Sequence, residues 1–197
     1  MSDDAFAPDM TAQTRENIQR YVTETIKFSK VLNLTSVKDE QVFQQHFIDP
    51  SLALCQWLPS QGVLLDVGSG MGVPGVPILL AQRGLHGVLV ERRKKRAEFL
   101  RHIARMLALN ADIYDCDVRA LKNVQANACV ARAVTRPEAL LRMIAPHMVR
   151  SAVAVLPTAS ATRPVSVSGW HFESLEIIAF GRAKQHVQRY RCTEGFT

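Results

Sequence analysis

The sequence predicts an α/β fold with a mostly parallel sheet covered by helices on both faces, an antiparallel C-terminal strand pair and an N-terminal helical extension. Three observations predict it. Short apolar runs alternate with amphipathic stretches after residue 60, a glycine-rich turn follows the first run directly, and the last two runs have no helix between them. With 197 residues, 47% of them hydrophobic, and 24 Lys+Arg against 18 Asp+Glu for a formal charge of +6, the composition is that of a globular domain. A chain of this size buries roughly 70% of its unfolded surface, which supports a core without disulfide or metal staples. Disorder and fibrous structure are excluded.

From about Met10 to Val31 the apolar residues Ile18, Val22, Ile26 and Val31 recur at helical steps, with Arg15, Glu16, Arg20 and Lys27 between them, and predict one amphipathic helix. A second helical stretch starts near Asp39, a good N-cap, and carries Val42, Phe43, His46 and Phe47 until Pro50 interrupts it. Residues 1–58 are thus a helical prefix, and residues 59–197 one continuous globular unit. Strands are expected at Val63 to Val67, Gly87 to Val90, Asp112 to Tyr114, Ala128 to Ala131 and Ala152 to Leu156. Helices are expected between them at Val76 to Arg83, Lys94 to Leu109 and Pro137 to Met148, the last with proline at the first helical position. Leu175 to Phe180 and His186 to Cys192, joined by Gly181-Arg182, read as an antiparallel pair, and Thr158 to Gly169 as a loop.

Cys55, Cys116, Cys129 and Cys192 form no Cys-x-x-Cys pair and have no histidine at ligand spacing, so no metal site is expected. The acidic start Met1-Ser2-Asp3-Asp4 precedes no apolar segment, and no stretch approaches the roughly 18 apolar residues of a bilayer span. The expected setting is the cytoplasm, with free thiols, no membrane partner and a monomeric chain. A pI near 9.4 favours a polyanionic partner.

Leu64-Leu65-Asp66-Val67-Gly68-Ser69-Gly70-Met71-Gly72-Val73-Pro74-Gly75 places glycines between a buried strand and a helix, at the carboxyl edge where such sheets bind ligands. A dinucleotide needs free helix N–H groups for its pyrophosphate. Pro74 and Pro77 remove two of them, and Asp66 adds a negative charge that repels a diphosphate and welcomes an α-amino group. S-adenosylmethionine fits better than NAD. Glu91 ends the second strand about twenty residues beyond the glycines, where a carboxylate accepts from ribose hydroxyls. The plainer reading of Glu91 is a solvated glutamate at a strand end.

Asn33-Leu34-Thr35, His46 three residues before Asp49, Asp66-Val67-Gly68-Ser69-Gly70 with Gly72-x-Pro74-Gly75, Lys95-Arg96-x-x-Phe99-Leu100 and Arg132-Ala133 occur in a characteristic order and spacing. In these the chain resembles, from about Val22 to Val155, the RsmG (GidB) family of bacterial 16S rRNA guanine-N7 methyltransferases. The resemblance implies a Rossmann-like S-adenosylmethionine-dependent methyltransferase with a seven-stranded sheet. It also implies methyl transfer to N7 of guanine 527, with 16S rRNA or the small ribosomal subunit as partner. Carried over by position, it puts Gly68 and Gly70 under the methionyl part of the cofactor, with Asp66, Gly72 and the backbone of Val73 beside it. Glu91 falls at the ribose, Val118 and Arg119 at the adenine. Arg132 faces cofactor and target base as a positioning group. The chain departs from the family at Phe28-Ser29 (Trp-Asn), Pro50 (serine), Ala131 (serine) and Arg119 (often acidic). It also has Leu156-Pro157-Thr158 in place of Leu-Lys-Gly, which removes a positive charge near the RNA side.

Guanine N7 offers an in-plane lone pair and needs no proton removed, so alignment is the enzyme's main task and no general base is expected. The sequence has no Asn-Pro-Pro-Tyr motif for amine methylation after the fourth strand and no Pro-Cys nucleophile there; Cys129 reads as a small core residue. Arg92, Arg93, Lys94, Lys95 and Arg96 crowd positive charge at a helix N-terminus, against the macrodipole, which points to RNA phosphate; a solvated face is the other reading. His46 and Asp49 share a helical face and read first as a structural pair. Asn33 and Thr35 suit either a turn or a site wall. Besides an rRNA methyltransferase, two alternatives stay open: a small-molecule methyltransferase or nicotinamide enzyme, and a non-catalytic RNA-binding relic of the family.

Overall fold

The computed structural model describes residues 10–158, 163–180 and 183–195. Helix α1 (Ala12–Leu32) starts at Thr11, whose hydroxyl accepts from the Thr14 N–H at 3.1 Å. It buries Ile18, Tyr21, Val22, Thr25 and Ser29 along one face. The helix ends at Asn33, whose left-handed backbone (φ 49°) lets its N–H return to the Ser29 carbonyl at 3.0 Å.

The second helical stretch corrects the expectation at Pro50. Asp39 does cap it, accepting from the Val42 N–H at 2.8 Å. The chain then runs through α2 (Glu40–Phe43), a π turn (Gln44–Ile48), α3 (Asp49–Leu52) and a 3₁₀ stretch to Trp57, with Pro50 inside. Proline is tolerated because it falls in the first turn of α3 and the preceding turn has widened to five-residue spacing. Widening also changes the partner of Asp49. Its Oδ1 accepts from Gln44 Nε2, five residues back, at 2.7 Å, so Asp49 is engaged by Gln44 rather than by His46.

The strands are β1 (Gly62–Val67), β2 (Leu85–Val90), β3 (Ala111–Tyr114), β4 (Ala126–Val130), β5 (Met148–Thr158), β6 (Trp170–Phe180) and β7 (Ala183–Cys192). They form one sheet in the order β3-β2-β1-β4-β5-β7-β6, parallel except that β7 runs antiparallel to both β5 and β6. The helices between them are α4 (Gly75–Ala81), α5 (Lys94–Met106) and α6 (Pro137–Ile144), the last shorter than expected because a 3₁₀ turn leads into β5 from Ala145. The expected turn at Gly181-Arg182 and residues 159–162 of the expected loop lie outside the described residues.

Alternation along β1 sends Leu64 into one core with α1, α4 and α5, and Leu65 into the other with α6. Tyr21, Phe43, Ile48 and Leu54 of the helical prefix are fully buried in the first core together with Ile78, Leu89 and Leu100, so the prefix and the sheet share one apolar interior. Among the described residues no helix is long and apolar enough to cross a membrane.

Candidate cofactor and substrate clefts

At the carboxyl edge of β1 the chain turns upward through Gly68 (φ 68°) and Gly70 (φ 60°), backbone that L side chains rarely adopt. The Gly68 and Ser69 N–H groups both reach the Val90 carbonyl of β2, at 2.8 and 3.0 Å, which holds the loop over the β1–β2 edge. A Cβ on Gly68 would lie 2.6 Å from Val134 Cγ2, whereas one on Gly70 would meet nothing closer than 3.7 Å. The loop is tight against Val134 and open at Gly70.

Glu91, directly after β2, is 7% exposed and accepts from the Gly70 N–H at 3.0 Å and the Arg93 N–H at 2.8 Å. A carboxylate has about four lone-pair sites, so two remain for hydroxyl donors. The plain solvated glutamate is therefore not what the structure holds.

Around the loop and Glu91 lies a cleft of 590 Å³, lined also by Arg96, Asp117, Val118, Arg119 and Arg132. Val118 is buried in its floor. Asp117 caps the short turn that carries Val118, and Arg119 grips it with Nε to Oδ1 at 2.8 Å and Nη2 to Oδ2 at 2.9 Å. These bonds hold the Asp117 carboxyl below the usual carboxylate range. Arg119 thus reaches the cleft already paired, with Asp117 beside it in the lining.

Two expected cofactor contacts are elsewhere. Asp66 is fully buried beneath the loop and does not line the cleft; its Oδ2 accepts from the Gly75 N–H at 3.2 Å, and burial pushes its carboxyl up to about 7. It shapes the loop from below, because the β1 alternation turns it into the core. Gly72 (φ 104°) faces Val76, Leu100 and the Tyr21 hydroxyl instead of the cleft. That hydroxyl donates to the Met71 carbonyl at 2.9 Å and clamps the loop to α1. The first N–H groups of α4 are also occupied, Gly75 by Asp66 and Val76 by the Gly72 carbonyl at 2.7 Å, so no row of free donors awaits a pyrophosphate.

The basic run divides. Lys94 and Lys95 are exposed at the start of α5, whereas Arg92, Arg93 and Arg96 line the cleft. Arg96 donates to the Asn33 carbonyl at 2.7 Å, tying α5 to the end of α1. Asn33 therefore acts through its backbone, Thr35 turns the chain by accepting from the Val37 N–H at 3.1 Å, and Leu34 between them lines the cleft.

Phe47, Arg132, Ala133, Val134 and Thr135 line this cleft and also a wider one of 830 Å³. Arg132 is pinned at the junction. Its guanidinium lies 4.8 Å from the Phe47 ring centroid and donates through Nη1 to the His46 carbonyl at 3.3 Å. Burial holds the Arg132 guanidinium below its ordinary range.

The wider cleft continues past Pro50, Arg136, Leu140 and Leu156 to Pro157, Thr158, Phe180, Lys184 and Gln185. Where the resemblance leads one to expect lysine, Pro157 stands, but Lys184 of β7 brings a cation to the same cleft. Sequence reasoning missed Lys184 and Gln185 because they enter from a strand paired antiparallel to β5, with no local motif.

A mixed sheet of this order, with a glycine loop and a strand-end glutamate at its carboxyl edge, defines the Rossmann-like methyltransferase class of α/β folds. A protein named as a methyltransferase, yhhF of Escherichia coli, shares the fold with a TM-score of 0.59 at 16% identity over 73% of this chain and 84% of that one. A variant of MtNAS in complex with S-adenosylmethionine gives 0.59 at 13% identity over 91% and 76%.

Residues 14–158 match the GidB model, rRNA small subunit methyltransferase G, and the chain belongs to that family. Proteins named ribosomal RNA small subunit methyltransferase G are similar to it. The one from Geotalea uraniireducens is 39% identical over 51% of this chain and 46% of its own length. That from Neisseria gonorrhoeae is 32% identical over 66% and 63%. The chain thus spans about half to under two thirds of the length of these relatives, and the family resemblance carried by Asn33-Leu34-Thr35, the glycine loop and Arg132-Ala133 is borne out.

Proposed function

We propose that the chain transfers a methyl group from S-adenosylmethionine to N7 of a guanine in 16S rRNA, guanine 527 by the family's pattern. The observation that carries the reading is the pair of clefts sharing one wall at Arg132–Thr135, one holding the glycine loop and Glu91, the other open toward β5 and β7. The relatives' shared name supports rRNA as the substrate, and the formal charge of +6 suits it.

The residues present fit the cofactor. The open space at Gly70 admits a ligand against the backbone, with Gly68 and Val73 beside it. Glu91 has lone pairs left for the ribose hydroxyls, and Val118 with the Asp117–Arg119 pair borders the adenine. When bound, the sulfonium supplies an electrophilic methyl. The protein's part is to align guanine N7 with that methyl and exclude water. No base is required of it, because N7 attacks with a free lone pair. Arg132, fixed by Phe47 and the His46 carbonyl, has N–H groups left to hold the guanine O6 or a neighbouring phosphate. Arg92 and Arg93, which line the cofactor cleft, and the exposed Lys94 and Lys95 that follow them are the groups offered to RNA phosphate. On this reading the chain works as a monomer in the cytoplasm, where ribosomal subunits are assembled.

The test is transfer of labelled methyl to 16S rRNA or small subunits from cells lacking the modification, with the nucleoside identified. Appearance of 7-methylguanosine at one site is the expected result. Transfer to a small molecule that RNA does not compete would replace this reading with the small-molecule one. RNA binding without cofactor binding or turnover would identify a relic.

A further inference from the structure

Part of the wider cleft's wall, Arg132 to Thr135, is shared with the cofactor cleft; another part, Phe180, Lys184 and Gln185, belongs to it alone. In that second part the Gln185 Oε1 atom is buried and has no hydrogen-bond partner. Gln185 sits on β7 opposite Ile178 of β6, where the ladder fixes its backbone. A buried acceptor without a donor is costly, and it marks a position that a ligand's N–H can satisfy.

Resting on the function proposed above, we infer that Gln185 selects guanine, its amide oxygen accepting from the N1–H and N2–H groups of a base whose N7 faces the shared wall. In a guanine N7 lies on the imidazole side, and N1–H and N2–H lie on the edge turned away from it. A base that presents N7 across Arg132–Thr135 therefore carries its donors toward residues that line only the wider cleft. Arg132, Arg136 and Lys184 donate and cannot accept these protons. Adenine in the same pose offers a lone pair at N1 and no amine at C2, which leaves the Gln185 oxygen unpaired. A site built to bond an N–H rejects the analogue lacking it far more strongly than a merely apolar pocket does.

The experiment is single-turnover methyl transfer to the rRNA substrate by the wild type, Gln185→Leu and Gln185→Glu, with S-adenosylmethionine affinity measured by calorimetry on each. Gln185→Leu slows transfer roughly 10- to 100-fold at unchanged cofactor affinity, while Gln185→Glu, which keeps an acceptor, stays within about threefold of wild type. Inosine at the target, lacking the N2 amine, slows the wild type but adds little to the defect of Gln185→Leu. A wild type that methylates RNA while Gln185→Leu does so at full speed overturns guanine selection and leaves the proposed function standing. Equal loss in the Leu and Glu variants also overturns it. A wild type that transfers nothing to any guanine overturns the proposed function, and this inference with it.

Discussion

Buried beneath the glycine loop, Asp66 makes folding stability depend on pH across the neutral range. Its carboxyl loses a proton near 3.8 when exposed and at about 7 in the folded chain, with burial the main cause and the Gly75 N–H acting against it. Between those values the folded state holds a proton that the unfolded state has lost. Stability is therefore full below about pH 4, falls as pH rises through 7 and levels off above it. A gap of roughly 3 pH units, at about 1.4 kcal/mol each, corresponds to about 4 kcal/mol. Asp117, held low by Arg119, titrates in the opposite sense, and its stabilisation is lost only below about pH 4, outside that window. Asp66→Asn removes the titration and keeps an oxygen for the Gly75 N–H. Urea unfolding from pH 4.5 to 8.5 is the assay: the variant should gain about 3 to 4 kcal/mol on the wild type across the series. Parallel stability curves for the two proteins would refute the buried, protonated Asp66.

Three further outcomes test the site. Gly70→Asp forces a side chain into φ 60° with its Cβ 4.0 Å from Glu91 Oε2, so calorimetry should detect no S-adenosylmethionine binding while the fold persists by circular dichroism. Arg132→Ala should lower single-turnover methylation by about 100-fold with under about 1 kcal/mol lost in urea unfolding, and Arg132→Lys should not rescue it, since lysine lacks the planar fork that spans Phe47 and His46. Replacing exposed Lys94 and Lys95 with alanine should reduce the salt slope of RNA binding by about 0.7 to 0.9 per lost phosphate contact, measured by filter binding across salt; an unchanged slope returns them to a solvated face.

The alternation of apolar runs and helices was legible along the chain because the central strands β1, β2 and β4 are buried on both faces and helices such as α1 and α5 on one, as Leu64, Leu65 and the α5 stripe illustrate. The position of Glu91 was legible too, since it directly follows a strand that neighbours the loop and so comes within reach of the Gly70 N–H. Asp66 was misjudged: its charge is visible in sequence, but the face of β1 on which it lies decides that it points inward. Pro50 misled through its usual meaning. A π turn absorbs the missing N–H, and no local pattern announces that turn. Lys184 and Gln185 were illegible because antiparallel return of β7 brings residues nearly fifty positions beyond Arg136 to the same cleft.

The bond from Tyr21 to the Met71 carbonyl joins the first helix to the loop that a cofactor would cover. Order in one is therefore order in the other, and any ligand that steadies the loop lends part of its binding free energy to the docking of α1. The amide protons of α1 should then exchange more slowly as occupancy rises, although no ligand atom touches that helix. In a cell, the abundance of a small metabolite would set how long this N-terminal segment survives proteases.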